Sequence, residues 1–189
     1  MAPEFLEDRR RALEEVFFAQ QTEAWRQRQR DEVAATTRRQ ALQEASGITD
    51  TALLDRLVGQ GVEAATLAAL SLVPLVMVAW ADGPLDDKER AALLAAAAES
   101  GIRQDSPAQR FLIRWLSTRP PPALLDSWEA YIRASTAKLD PTARQVLKSG
   151  LLDRAHRVAE SAGTFLGLPP RINPAAAAVL GRLERAFGA

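Results

Sequence analysis

The stretch that decides the fold runs from Leu72 to Ile102 and reads LVPLVMVAWADGPLDDKERAALLAAAAESGI. It begins with an apolar run, breaks at residues 81–84 (Ala-Asp-Gly-Pro), and continues as a charged and then alanine-rich segment. Glycine and proline favour turns, whereas alanine and leucine favour helices. The pattern therefore predicts an apolar helix, a tight acidic turn and a second helix that starts near Asp86.

The apolar run extends back to Val62, and residues 64–81 carry no charge. A membrane span is one interpretation of such a run. However, Thr66, Ser71 and Pro74 interrupt it, and no basic cluster flanks it. A helix that is apolar on all sides is usually the centre of a helical bundle. We therefore predict a buried central helix, which Pro74 should kink or deprive of one hydrogen bond.

The rest of the chain predicts an all-α fold, because helical spacing of apolar residues recurs and no alternating β-strand pattern occurs. A short helix should follow a cap at Thr49 or Asp50, and a loop should cover residues 163–170. Further helices are predicted over residues 86–100, from 105–107 onward, over 123–138, over 142–162 with an interruption at Gly150, and from 173–174 onward.

The N-terminal region predicts one long helix, because residues 5–45 contain neither glycine nor proline. At 1.5 Å per residue it would be roughly 60 Å long. We divide the chain into this helix (1–46) and a helical bundle (47–189).

An apolar stripe marks the first half of the helix and fades in the second, so we expect the part without the stripe to protrude and contact a partner. The stripe consists of Leu6, Leu13, Val16, Phe17, Phe18 and Trp25.

Five arginines follow the stripe, at positions 26, 28, 30, 38 and 39. They could form a nucleic-acid patch, but acidic residues interleave with them. We therefore predict a solvated, salt-bridged face and consider nucleic acid an improbable partner. The chain as a whole has a formal net charge of +0, so no overall field attracts it to nucleic acid or anionic lipid.

The 189 residues include no cysteine, which excludes disulfides, thiolate metal sites and cysteine nucleophiles. This composition fits a reducing compartment, and the first residues lack the pattern of a signal peptide. We therefore expect a cytoplasmic protein.

Two segments resemble each other. Residues 78–83 and 158–163 share Val, Ala and Gly at the same spacing, and each leads to an apolar residue, a cap and a helix. Two loosely repeated halves that pack together would explain this, as would chance similarity between alanine-rich helices. In the second segment Ala162 and Ala176 replace Asp82 and Glu89.

The turn carries four carboxylates, on Asp82, Asp86, Asp87 and Glu89. Hard divalent cations such as Ca²⁺ bind clustered carboxylate and carbonyl oxygens. Residues 82–89 match the last eight positions of an EF-hand loop, but the first two ligand positions would be the apolar Val78 and Trp80. At most half a site is therefore present. The alternative is structural: Asp82 and Asp86 cap a turn and a helix, and the other acids favour the positive helix end.

Residues 78–90, VAWADGPLDDKER, resemble the signature of the TerB-like (tellurite-resistance TerB) superfamily. The similarity covers roughly residues 49–102 well and the C-terminal half loosely. It implies an all-helical bundle of two related halves with a role in stress-response and membrane-associated assemblies, in binding or scaffolding more than in catalysis. It also implies a divalent-cation site that maps onto Asp82, Asp86 and Glu89. The second half lacks the corresponding acids.

We expect a non-enzymatic interaction module. The first alternative is a metal-dependent hydrolase that uses the acidic turn, but neighbouring acids on an exposed turn do not provide the separately tuned carboxylates that acid–base catalysis needs. His156 is the lone histidine, and a single helical histidine is typically a surface or hydrogen-bonded residue. The second alternative is a peripheral membrane adaptor that uses the N-terminal helix. A homodimer is a further expectation.

Overall fold

The chain folds into helices joined by short turns in the computed structural model, which describes residues 2–162 and 173–188, and the side chains of residues 17–160 and 173–188. No strand occurs in these ranges, so the all-α prediction is confirmed. The helices are α1 (Ala2–Ser46), α2 (Thr51–Gly59), α3 (Val73–Ala79), α4 (Asp87–Glu99), α5 (Pro107–Ser117), α6 (Ala123–Thr136), α7 (Pro141–Ala162) and α8 (Pro174–Ala186), with a 3₁₀ helix at Ala64–Leu72. The predicted loop at residues 163–170 lies outside the described residues.

The apolar run predicted as one central helix is divided in two. Ala64–Leu72 forms the 3₁₀ helix, and α3 begins at Val73 with Pro74 in its first turn. Inside an α-helix a proline lacks a needed N–H and clashes with the carbonyl four residues earlier, whereas the first turn tolerates it. The single-helix prediction is therefore wrong, because the α-helix starts anew at the proline instead of kinking around it.

Helix α3 is the centre of the bundle. All seven of its residues are buried, and it contacts the 3₁₀ helix and helices α4, α6, α7 and α8. The predicted burial of this segment is confirmed. Among the described helices, none alone has both the length and the apolar composition to cross a membrane; α2 and Ala64–Ala79 meet that test only as a pair, which is bent by 86°.

The helices around α3 are joined by apolar and ionic contacts. The Trp128 ring of α6 packs edge-on against Phe187, with the ring centroids 6.3 Å apart. Nearby, the Arg182 guanidinium of α8 donates to Asp126 at 2.6 Å and to Glu129 at 2.7 Å, both on α6. These contacts fix α8 against α6 at the C-terminal end of the chain.

Helix α7 contacts α3, α4 and α8, so the four helices of the suspected repeat pack together. The second connecting turn lies in the undescribed residues 163–172, and the repeat itself stays a prediction. Helix α7 continues through Gly150, so the predicted interruption there is wrong.

Helix α1 ends where the sequence predicted. Gly47 follows it with φ +68°, and its N–H donates to the Gln43 carbonyl oxygen at 2.8 Å. A left-handed glycine at this point is a common way to terminate a helix. Helix α1 contacts α2 and the 3₁₀ helix, and Leu42, which has no exposed surface, is its contribution to the core. Arg39 adds an ion pair to Asp55 of α2, with 3.1 Å between nitrogen and oxygen.

Candidate functional site

The acidic turn positions its side chains through a capping box at the start of α4. Asp86 Oδ1 accepts the Glu89 N–H at 2.8 Å, and Glu89 Oε2 accepts the Asp86 N–H at 2.9 Å. Each carboxylate thus satisfies a backbone donor that the first helical turn leaves free. Gly83, with φ +152°, lets the chain turn between α3 and this cap. The predicted structural role of Asp86 is confirmed.

Glu89 is unusual because its carboxylate is buried. The residue is 4% exposed, and its Oε1 has no hydrogen-bond partner among the described residues. Loss of hydration raises the pKa of Glu89, and the negative charges of Asp82 and Asp86 raise it further, although the hydrogen bond from the Asp86 N–H opposes the shift. The burial of this side chain could not be read from the sequence, since acids in a first helical turn are usually solvated.

The predicted cation ligands are only partly brought together. Asp86 and Glu89 share the cap, while Asp82 and Asp87 are exposed. Asp82 is near enough for its charge to act on Glu89. Within residues 17–160 and 173–188, no group of three or more His, Asp or Glu side chains is arranged to hold a metal ion. The cation site stays a prediction.

Two further residues that the sequence singled out have structural partners. The Trp80 indole N–H donates to the Trp115 carbonyl oxygen at 2.9 Å, and the ring packs against the core. His156 Nδ1 donates to the Leu152 carbonyl oxygen one turn earlier, at 2.8 Å. The hydrogen bond of His156 agrees with the role that the sequence predicted for it.

A second candidate site lies on α1. Residues 17–35 of this helix, here called the arm, are exposed on every side. Phe17 is 55% exposed, Phe18 62%, Trp25 58% and Val33 64%. At about 100° per residue, Phe18, Trp25 and Val33 lie within an arc of about 80°. The arm therefore presents Phe18 and Trp25 of the apolar stripe to solvent, with Val33 on the same side of the helix.

The expectation for this helix is partly right and partly wrong. Residues 26–35, which follow the stripe, are exposed as expected, but Phe17, Phe18 and Trp25 of the stripe are exposed as well, and the last turns dock through Leu42. Docking depends on tertiary contacts with α2 and the 3₁₀ helix, which a one-dimensional stripe does not report. One signal was available in the sequence: Leu42 and Ile48 are apolar residues on either side of Gly47, where α1 ends, and the structure buries both.

The charges of the arm pair partly with one another. Glu23 accepts from Arg30 at 2.7 Å and lies 3.8 Å from Arg26, and the Arg30 hydrogen bond lowers the pKa of Glu23. The predicted salt-bridged face is confirmed for these residues. Arg28 and Arg38 pair with no carboxylate among the described side chains, so their charges are available to a partner.

Comparison with protein-family models gives no match, and neither curated protein sequences nor solved structures show a significant similarity to this chain. The TerB-like resemblance therefore stays a prediction that depends on residues 78–90.

We expect Glu89→Gln to gain stability relative to the natural chain as pH rises from about 4 to 7. Well below pH 4.5, the ordinary Glu pKa, Glu89 is mostly protonated in both folded and unfolded chains. As pH rises, the unfolded chain loses its proton first, which destabilises the fold until the pH passes the raised folded-state pKa. Glutamine keeps an oxygen for the Asp86 N–H but does not titrate.

Urea denaturation across this pH range measures the difference. Glu99→Gln, which removes an exposed carboxylate at the other end of α4, is the matched control. A pH-independent difference for Glu89→Gln, or the same trend in both variants, would contradict the burial of an ionisable carboxyl at position 89.

Proposed function

We propose that this chain is a non-enzymatic interaction module, of a scaffolding type, that binds a protein partner through the arm. The observation that carries the proposal is the exposure of Phe17, Phe18 and Trp25, each with more than half of its surface in solvent on a helix segment free of the bundle. Tryptophan is enriched among the residues that dominate protein–protein binding energy, and phenylalanine is enriched in the cores of interfaces.

The length of the arm also supports a binding role. Most helical stability in proteins comes from packing an apolar face and not from the helix propensity of the segment alone. The arm spans 19 residues without such packing, although it carries an apolar stripe. A partner that covers the stripe would supply the missing contact and stabilise the helix.

The acidic turn supports binding or scaffolding more than catalysis. Asp86 and Glu89 each use an oxygen to hold the start of α4, and His156 uses Nδ1 for a bond within α7. Groups held in this way are not arranged as an acid and a base that face a common substrate. The link to stress response derives from the TerB-like resemblance alone and forms part of this proposal.

Photo-crosslinking tests the proposal. A photoreactive amino acid at Gln21, exposed on the arm, should give covalent protein adducts when the full-length chain is irradiated in an extract of its source cells. Phe18→Glu/Trp25→Glu should reduce the adducts at least about tenfold, because buried charge opposes an apolar interface. The control Gln20→Glu/Gln27→Glu adds the same two negative charges on the opposite side of the helix, and this variant should still form the adducts.

Absence of adducts would contradict the proposal. So would adducts that form equally with the natural arm and with the Phe18→Glu/Trp25→Glu variant.

A weak divalent-cation site at the turn is a second candidate function. The buried and unpartnered Oε1 of Glu89 favours it, with Asp82 and Asp86 as neighbouring carboxylates. Ca²⁺ takes six to eight oxygen ligands, so backbone carbonyls and water would have to complete the set. Because the capping box already occupies one oxygen each of Asp86 and Glu89, we expect low affinity, with a dissociation constant of about 1 mM.

Calorimetric titration of Ca²⁺ and Mg²⁺ tests this candidate. We expect heat of binding for the natural chain and for the control Asp87→Asn, and none for Asp82→Asn/Glu89→Gln. Identical heats in all three proteins would remove the cation site.

A further inference from the structure

We propose that the partner of the arm is a second copy of this chain, and that the two arms pair in antiparallel orientation. This inference rests on the proposed function, since it names the partner of the same surface.

The charge along α1 is asymmetric. Residues 2–23 contain six acidic and three basic residues, a net charge of −3, whereas residues 24–46 contain five basic and three acidic residues, a net charge of +2. Two antiparallel copies place each acidic half beside the basic half of the other. Parallel copies place like charges together, which disfavours that orientation. Arg28 and Arg38, which pair with no described carboxylate, lie in the basic half.

The position of the bundle agrees with this orientation. Within residues 17–46, the buried contact of α1 with its bundle lies near the C-terminal end of the helix, around Leu42. In an antiparallel pair the two bundles lie at opposite ends of the helices, so the arms can approach along residues 17–35. Trp25 stands near the middle of Ala2–Ser46, so a two-fold axis close to it gives the largest overlap of the two helices.

An anionic membrane is a poorer partner for the stripe than a second copy of the chain. Helices that lie on such membranes are rich in Lys and Arg on their polar face. Helix α1 contains nine acidic and eight basic residues, a net charge of −1, and it has no lysine. It therefore gains little from anionic lipid, whereas its two oppositely charged halves complement each other.

The stripe is large enough for a weak dimer. A fully buried aromatic side chain accounts for about 150–250 Å². Phe17, Phe18 and Trp25 keep more than half of their surface exposed. Together with the other apolar side chains and the methylene groups of the arginines, two paired arms could bury on the order of 1,000 Å² of surface. That is the low end of specific interfaces, so we expect a dissociation constant in the range of about 1 µM to 1 mM.

Sedimentation velocity of the full-length chain tests self-association. We expect a reversible dimer whose population rises with concentration up to about 1 mM. Phe18→Glu/Trp25→Glu should weaken it at least about tenfold, while the control Gln20→Glu/Gln27→Glu stays within about threefold, with circular dichroism showing that all variants keep their helix content. A natural chain that stays monomeric throughout, or a dimer that the first variant leaves unchanged, overturns the proposal.

The orientation has its own measurement. The chain has no cysteine, so Gln40→Cys carries a single spin label on an exposed position of α1. An antiparallel pair with its axis near Trp25 separates the two labels by about 45–50 Å, whereas a parallel pair brings them to about 10–20 Å. Electron–electron double resonance on the dimer distinguishes the two, and the short distance overturns the antiparallel arrangement.

The two proposals fail separately. If the chain sediments as a monomer but crosslinks to other proteins through position 21, the self-pairing proposal is overturned and the proposed interaction function stands. A monomer that gives no adducts overturns both.

Discussion

Helix α1 is joined to the bundle through its last turns, where Leu42 is fully buried and Arg39 forms an ion pair with Asp55. Fully burying a leucine side chain contributes about 1.5–3 kcal/mol, more than a surface ion pair of about 0–1 kcal/mol. The apolar contact is therefore the main constraint. Because it acts at one end of the helix, residues 17–35 are left without neighbours, and the aromatic side chains they carry become a surface.

The bundle that holds the C-terminal end of α1 is built around an uncharged helix, α3. Every residue of α3 is buried, and the surrounding helices cover it with apolar side chains. The chain leaves this apolar centre at Gly83 and enters α4 through the capping box of Asp86 and Glu89. A buried polar group is costly unless it is hydrogen-bonded. One oxygen of Glu89 meets that requirement and the other does not, which is why this turn is both a structural element and a candidate cation site.

Local sequence signals predicted the features that depend on local chemistry. The all-α class followed from helical spacing, and the cap followed from an aspartate with a glutamate three residues later, a pattern whose hydrogen bonds close within one turn. The end of α1 followed from Gly47. Features that depend on distant contacts were not predicted. Pro74 is compatible with either a kink or a new helix start, so local signals did not decide the division between Leu72 and Val73. The docking of α1 through Leu42 depends on its contacts with α2 and the 3₁₀ helix, and the burial of Glu89 depends on how α4 packs in the bundle.

The central claim is that residues 17–35 are free of the bundle while the last turns of α1 are held by it. Hydrogen–deuterium exchange of the full-length chain, at a dilution where it is monomeric, measures this most directly. We predict that amides of residues 17–35 exchange at least about a hundredfold faster than those of α3, with protection rising towards Leu42. Protection of residues 17–35 equal to that of α3 under these conditions would show that the segment packs against the bundle, and would contradict the account.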